Sequence, residues 1–103
     1  MNIMHCSDWD GVNHYEQVRA TMVANDMGYI GFAADIYGKD LHNVDSFDDK
    51  IYYATMYRSN TTLFISRIQS AINEVMNLTN VDVDNIGIIG YCFGGTGALM
   101  VRL

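Results

Sequence analysis

Apolar runs alternate along the chain with amphipathic or polar stretches. Short apolar runs cover residues 2–5, 29–34 and 86–90, and the run at 29–34 is continuous, as expected of a strand buried on both faces of a parallel sheet. Residues 35–49 are polar and rich in turn formers, which predicts a loop with a short helix near its end. With helices between the strands, the order is β-α-β-α-β-α, which predicts parallel pairing through right-handed crossovers.

The helices of this pattern are indicated by capping residues and by one apolar stripe. Asn13 followed three positions later by Glu16 forms a capping-box pattern, and Gly28 ends the same helix as a C′ glycine. Apolar residues on one face predict a long helix over 62–76. A further helix is predicted from Gly95 onward.

Composition and charge narrow the classes of partner. The chain has 103 residues, half of them apolar, and a formal charge of −6, which fits one small globular domain. An acidic chain without a Lys/Arg cluster is not expected to bind nucleic acid or anionic membranes. No apolar run approaches the roughly 18 residues of a membrane span, and no secretory-signal pattern is visible. Two cysteines, Cys6 and Cys92, do not make a disulfide framework and favour a reducing, cytoplasmic location.

A glycine-rich turn follows the last apolar run. Gly90-Tyr91-Cys92-Phe93-Gly94 matches the G-x-S-x-G nucleophile elbow with Cys in place of Ser. In such an elbow a sharp strand-to-helix turn exposes the central side chain, and crowding two residues before and after it requires glycine. The thiol then lies at a helix N-terminus, and the N–H of Phe93 points to where an oxyanion would form. Cys92 is therefore a candidate nucleophile.

Other interpretations of this turn stay open. Free cysteine is among the most buried residue types, so Cys92 also fits a structural role. The glycines from Gly90 to Gly97 lack both the G-x-G-x-x-G spacing and the lysine of a phosphate-binding loop. A redox pair of Cys6 with Cys92 would lack the usual C-x-x-C spacing. Because the sequence has no metal-ligand cluster and no dinucleotide fingerprint, we expect no cofactor.

Together, three stretches of the sequence resemble the dienelactone hydrolase family of α/β-hydrolases. Residues 8–13 (DWDGVN) resemble the family's D-W-x-G-L-N after a central strand. Residues 28–38 (GYIGFAADIYG) are similar to G-Y-V-A-x-A-P-D-x-Y-G, with Ala34 where proline is common. Residues 89–95 resemble the family's G-Y-C-F-G-G elbow. The resemblance spans almost the whole chain and implies a three-layer α/β/α fold with a parallel sheet of strand order 2-1-3.

This resemblance also implies roles for individual residues. Cys92 resembles the nucleophile, and the backbone N–H groups of Phe93 and Trp9 resemble the two oxyanion donors. Asp8 stands where many relatives carry a Glu beside the thiol, which is a supporting position. Arg58 lies where an arginine for a substrate carboxylate would be sought; a solvated charge at a helix start is the other interpretation.

In the family, the acid and base of the catalytic triad follow the elbow by many residues. The sequence ends at Leu103 and opens in what resembles the family's third strand, so we expect residues 1–103 to form one partial domain, truncated at both ends. None of His5, His14 and His42 matches the family's base.

These considerations predict a hydrolase that cleaves a small-molecule ester or lactone through Cys92. The chain alone is expected to be nearly inactive, because it carries the nucleophile and the oxyanion donors without the acid and base. The alternative is a non-catalytic small-molecule-binding or thiol redox module on the same fold. The roles of His5 and Cys6 and the oligomeric state are left open.

Overall fold

The computed structural model describes residues 2–38, 41 and 44–101, in which helices cover a three-stranded sheet; His42 lies outside the described residues. In chain order the elements are β1 (Asn2–Cys6), α1 (His14–Met27), β2 (Ile30–Ala34), α2 (Phe47–Ser59), α3 (Thr61–Met76), β3 (Ile86–Ile89) and α4 (Phe93–Met100).

The sheet is parallel and has the order β2-β1-β3, which confirms the predicted order 2-1-3. In its register, Met4 of β1 lies between Phe32 of β2 and Ile88 of β3. Both faces of β2 are covered, since Gly31 lies against the Ala20 backbone of α1 and Phe32 packs against the core cluster, but apart from Ala34 its residues are only half-buried. The reason is that β2 and β3 are the outer strands of the described sheet and each has only one neighbouring strand.

Side chains of the central strand alternate between two helical layers. Met4 and Cys6 are buried in the core cluster, which includes Phe64 of α3 and Phe93 of α4. His5, on the opposite face of β1, packs its ring against Tyr15 of α1 at 6.0 Å. Period-two alternation along β1 thus separates an apolar core layer from a more polar α1 layer, as in an α/β/α sandwich.

Helix α1 has the predicted caps and buries few of its apolar side chains. Asn13 accepts a hydrogen bond from the Tyr15 N–H, the capping box with Glu16 is formed, and Gly28 ends the helix in the left-handed region. The residues that α1 buries are Glu16 and Val23, while Val18 and Met22 are 38% and 44% exposed. The spacing of apolar residues therefore did not mark the side of α1 that faces the sheet.

Helix α2 is longer than the short helix predicted near the end of residues 35–49. The hydroxyl of Ser46 accepts a hydrogen bond from the Asp49 N–H at the start of α2. The helix buries only Ala54 and Tyr57, so its sequence shows little apolar periodicity. Asn60 follows directly and caps α3 by accepting a hydrogen bond from the Leu63 N–H at 3.1 Å.

Candidate active site

Cys92 lies in the turn between β3 and α4. With φ 52° and ψ −111°, it has the only positive φ of a non-glycine residue in the described part of the chain. It is the N-cap of α4, and its thiol is exposed. Backbone strain of this kind costs on the order of 1–3 kcal/mol and is typical of functional sites. The turn therefore presents a thiol to solvent at a helix N-terminus.

The glycines of this turn allow backbone to approach backbone. A Cβ on Gly90 would overlap the carbonyl group of Gly94. A Cβ on Gly94 would lie 2.6 Å from the carbonyl oxygen of Cys6 and 2.8 Å from that of Ser7. The start of α4 consequently rests directly on the end of β1, which brings the loop after β1 next to Cys92.

The two candidate oxyanion donors differ in their hydrogen bonding. Within the described ranges, the N–H of Phe93 has no hydrogen-bond acceptor. The N–H of Trp9 donates to Asp8 Oδ1 at 2.7 Å. The Asp8 carboxylate, which the family resemblance suggests lies beside the thiol, thus covers the Trp9 N–H. An oxygen of a substrate that binds the Trp9 N–H must displace this carboxylate.

We refer to residues 8–13 as the oxyanion loop, after the role that the family resemblance implies for the Trp9 N–H. The buried Glu16 carboxylate accepts hydrogen bonds from both ends of this loop, from the Asp8 N–H at 3.3 Å and from the Asn13 N–H at 3.1 Å. The N–H of Gly11 donates to the Asp8 carbonyl at 3.0 Å and closes the turn between them. The capping-box pattern at Asn13 and Glu16 thus indicated the start of α1 but not that the same carboxylate anchors the oxyanion loop.

Tyr37, which follows β2, contacts residues of both candidate donors. Its hydroxyl donates to the Trp9 carbonyl at 2.8 Å, and its ring centroid lies 5.5 Å from that of Phe93. Burial raises the pKa of the Tyr37 hydroxyl, and the negative charges of Asp8 and Asp10 add to this effect. Tyr37 was visible in the sequence only as part of the stretch that resembles the family, with no role assigned to it.

Arg58, in the last turn of α2, lies beside the thiol. Its Nη2 is 3.9 Å from Cys92 Sγ, and its guanidinium carbon is 5.6 Å from the centroid of the Phe93 ring. The family resemblance suggested Arg58 as a possible arginine for a substrate carboxylate, but the sequence did not show that it lies beside Cys92. In a protein with a net charge of −6, this arginine puts a local positive charge at the candidate nucleophile.

His5 and Cys6 at the end of β1 are both buried. Among the described residues, neither ring nitrogen of His5 has a hydrogen-bond partner, and burial is the main cause that lowers its pKa from the usual value. Burial raises the pKa of the Cys6 thiol to about 11. Among the described residues no hydrogen bond joins His5 or the exposed His14 to Cys92.

A cleft with a volume of ≈ 810 Å³ opens beside Cys92, along the outer edge of β3. Its lining is mostly apolar and includes Ile88, Thr96 and Leu99. In the same described ranges, no helix has the length and apolar character needed to cross a bilayer. Nor does any group of three or more His, Cys, Asp or Glu residues in this part of the chain have an arrangement that could hold a metal ion.

Comparisons with known proteins agree with this geometry. The model of the dienelactone hydrolase family matches residues 2–102. No curated protein matches the chain. Among solved structures, the crystal structure of a dienelactone hydrolase-like promiscuous phosphotriesterase from metagenomic libraries is similar, with a TM-score of 0.88 and 26% sequence identity. The match covers 96% of this chain and 40% of that one, so the chain spans less than half the length of this relative. On the family match and the shared fold, the chain belongs to the dienelactone hydrolase family.

Proposed function

We propose that the protein hydrolyses an ester or lactone of a small molecule, with Cys92 as the nucleophile. The observation that carries this proposal is the conformation of Cys92: an exposed thiol at positive φ, at the N-terminus of α4 and beside Arg58. A buried structural cysteine would need neither the exposure nor the strained backbone. Membership of a hydrolase family supports the same reaction class.

In the proposed reaction, the Cys92 thiolate attacks the carbonyl carbon and the carbonyl π electrons move to the oxygen. The tetrahedral intermediate collapses, the C–O bond to the leaving group breaks, and the alkoxide takes a proton. Water then attacks the thioester and releases the acid and the thiol. A general base and acid must move these protons. We propose that residues following the elbow in a longer protein supply them, because in the described ranges neither the buried His5 nor the exposed His14 has a hydrogen bond to Cys92.

The oxyanion of the intermediate would be held by the N–H groups of Phe93 and Trp9. The Phe93 N–H has no competing acceptor in the described structure, so it is available at once. The Trp9 N–H becomes available only when Asp8 Oδ1 leaves it. Since a carboxylate beside a forming oxyanion is unfavourable, productive binding includes rotation of the Asp8 side chain away from this point.

Charge at the site points to the kind of substrate. Arg58 is exposed, and its Nη2 lies near the sulfur, where the scissile bond of a substrate would be. A guanidinium in this place favours a substrate that carries a carboxylate or another anionic group close to the reacting carbonyl. The proposed substrate class is therefore an ester or lactone with an acidic substituent.

Turnover of p-nitrophenyl acetate by the full-length protein tests the role of the thiol. We expect Cys92→Ala to lower kcat/KM by several orders of magnitude, as loss of a nucleophile commonly does. The matched control is Cys6→Ala, which removes the chain's other thiol, a buried one. Residues 1–103 alone are expected to be nearly inactive. A full-length Cys92→Ala protein with wild-type turnover would remove Cys92 as nucleophile and favour a binding module.

A further inference from the structure

We propose that Tyr37 is a positioning residue that fixes the geometry of the oxyanion hole during the reaction. The inference rests on the proposed Cys92 hydrolase. It assigns a function to a side chain that touches neither the thiol nor the reacting atoms. Tyr37 is 4% exposed and follows β2, so it comes from a different part of the chain than either candidate donor.

The first contact of Tyr37 is polar and directed at the oxyanion loop. Its hydroxyl donates to the Trp9 carbonyl oxygen at 2.8 Å, across 28 positions of sequence. This bond fixes the peptide group that follows Trp9. Burial and the charges of Asp8 and Asp10 raise the pKa of the Tyr37 hydroxyl, so it keeps its proton and remains a donor at neutral pH.

The second contact of Tyr37 is aromatic and directed at the elbow. Its ring lies 5.5 Å from the ring of Phe93 and 5.4 Å from that of Tyr57, in tilted arrangements. The Phe93 ring stacks in turn on Phe64 of α3 at 4.7 Å. Tyr37 therefore contacts both residues whose N–H groups would receive the oxyanion, and it is itself held by the core.

The hydrogen bond from Tyr37 has its largest effect on the position of Trp9 once Asp8 no longer accepts the Trp9 N–H. In the described structure, the Asp8 carboxylate helps to hold Trp9 through the 2.7 Å hydrogen bond. When a substrate oxygen replaces it, the hydrogen bond from Tyr37 still holds Trp9 from the carbonyl side. Oxyanion donors act only within a narrow range of distance and direction, and a displacement of about 1 Å can cost about 100-fold in rate. Tyr37 is thus expected to affect the transition state more than substrate binding.

The test uses Tyr37→Phe in the full-length protein, because this change keeps the ring and removes only the donor. Tyr53→Phe is the matched control: its ring packs on Tyr37 at 5.5 Å, and its hydroxyl has no hydrogen bond within the described part of the chain. We expect Tyr37→Phe to lower kcat for p-nitrophenyl acetate about tenfold with KM within about twofold, a smaller effect than loss of an oxyanion donor itself. Tyr53→Phe should match wild type.

Three further measurements separate positioning from a merely structural role. Alkylation of Cys92 by iodoacetamide forms no oxyanion, so its rate should be unchanged in Tyr37→Phe. Replacement of Tyr37 by 4-aminophenylalanine restores an N–H donor at nearly the same place and should return kcat to within about threefold of wild type. Amide hydrogen exchange in the oxyanion loop should be faster in Tyr37→Phe and unchanged in Tyr53→Phe.

Failure of the Tyr37 proposal can be told apart from failure of the proposed Cys92 hydrolase. If Cys92→Ala abolishes turnover but Tyr37→Phe keeps wild-type kcat, the Tyr37 proposal alone is wrong. Unchanged amide exchange in Tyr37→Phe also overturns it, whatever the turnover. Equal losses of ester turnover and of alkylation in Tyr37→Phe would show a general structural effect and overturn it too. A Cys92→Ala protein with unchanged turnover overturns the proposed function, and any oxyanion role of Tyr37 with it.

Discussion

Gly90 and Gly94 lie against each other in the turn that carries Cys92, and a Cβ on Gly90 would overlap the carbonyl group of Gly94. The obstacle is backbone at the start of α4, which cannot move aside as the end of a flexible side chain can. The exposed thiol therefore depends on the absence of one methyl group two residues before it.

Gly90→Ala is expected to destabilise the protein by at least about 1–3 kcal/mol and to abolish turnover, because overpacking here must displace α4. Gly95→Ala is the control, since its added Cβ would lie 3.2 Å from the Gly90 carbonyl oxygen and needs only a small shift. Urea unfolding monitored by circular dichroism measures both free energies. Equal stabilities of the two variants would contradict the crowding argument.

Arg58 is expected to attract anionic reagents to Cys92. The ratio of alkylation rates with iodoacetate and with iodoacetamide reports the charge near the sulfur, because the reagents differ in charge but react by the same displacement. We expect Arg58→Gln to lower this ratio several-fold at low salt, and added salt to reduce the wild-type ratio. Arg67→Gln, on α3, is the control and should leave the ratio unchanged. An Arg58→Gln protein with the wild-type ratio would show that Arg58 does not act on the site in solution.

The two cysteines should react at very different rates. Cys92 is exposed, whereas Cys6 is buried and burial raises its pKa to about 11, so little Cys6 thiolate forms at pH 7. With a disulfide reagent, we expect one fast thiol in the native protein and two in guanidinium chloride. Cys92→Ala should remove the fast phase, and Cys6→Ala should keep it. Rapid native labelling of Cys6 would mean that the end of β1 opens readily.

His5 is expected to make the protein less stable in mild acid. Its pKa in the folded state lies below 6.5, mainly because of burial. As pH falls, His5 is therefore protonated at a higher pH in the unfolded chain than in the folded protein. The free energy of unfolding should therefore fall as pH decreases below about 6.5, until the folded-state pKa is passed. His5→Phe should flatten this dependence between about pH 5 and 6.5, above the range where carboxylates titrate. The control is His14→Gln, at an exposed histidine, which should keep the wild-type pH dependence of the free energy of unfolding. If His5→Phe also keeps this dependence, His5 is not its source.

The strands and the elbow could be predicted because each rests on local sequence, whereas the strand order 2-1-3 was implied by the family resemblance. Glycine at positions 90 and 94 around Cys92, and apolar runs separated by helices, have few other structural solutions. Helix α2 was largely missed because it buries only Ala54 and Tyr57, so no apolar stripe marks it. Since α2 carries Arg58, the position of this arginine at the thiol could not be derived either.

The hydrogen bond from Tyr37 to the Trp9 carbonyl could not be predicted from the sequence, for a different reason. This hydrogen bond joins two loops whose relative position depends on how the strands pair. A tyrosine or a tryptophan in the sequence does not by itself indicate such a bond. The same is true of Glu16, whose capping pattern is local but whose second hydrogen bond, from the Asp8 N–H, depends on the path of the oxyanion loop.

The central place of β1 has a consequence for how the protein is made. At the start of β1, Asn2 bonds to Asn85, which lies 83 positions later, just before β3. One of the two edges of β1 therefore stays unpaired until β3 has been synthesised. At about 5–20 residues per second, this interval is roughly 4–17 s on the ribosome. During that time one edge of an apolar strand stays open to other chains, and closing so long a loop slows folding. Because residues 8–13 follow β1 and Cys92 follows β3, these two parts of the candidate site cannot meet before β3 has been made, and a chain stalled earlier would be prone to aggregate.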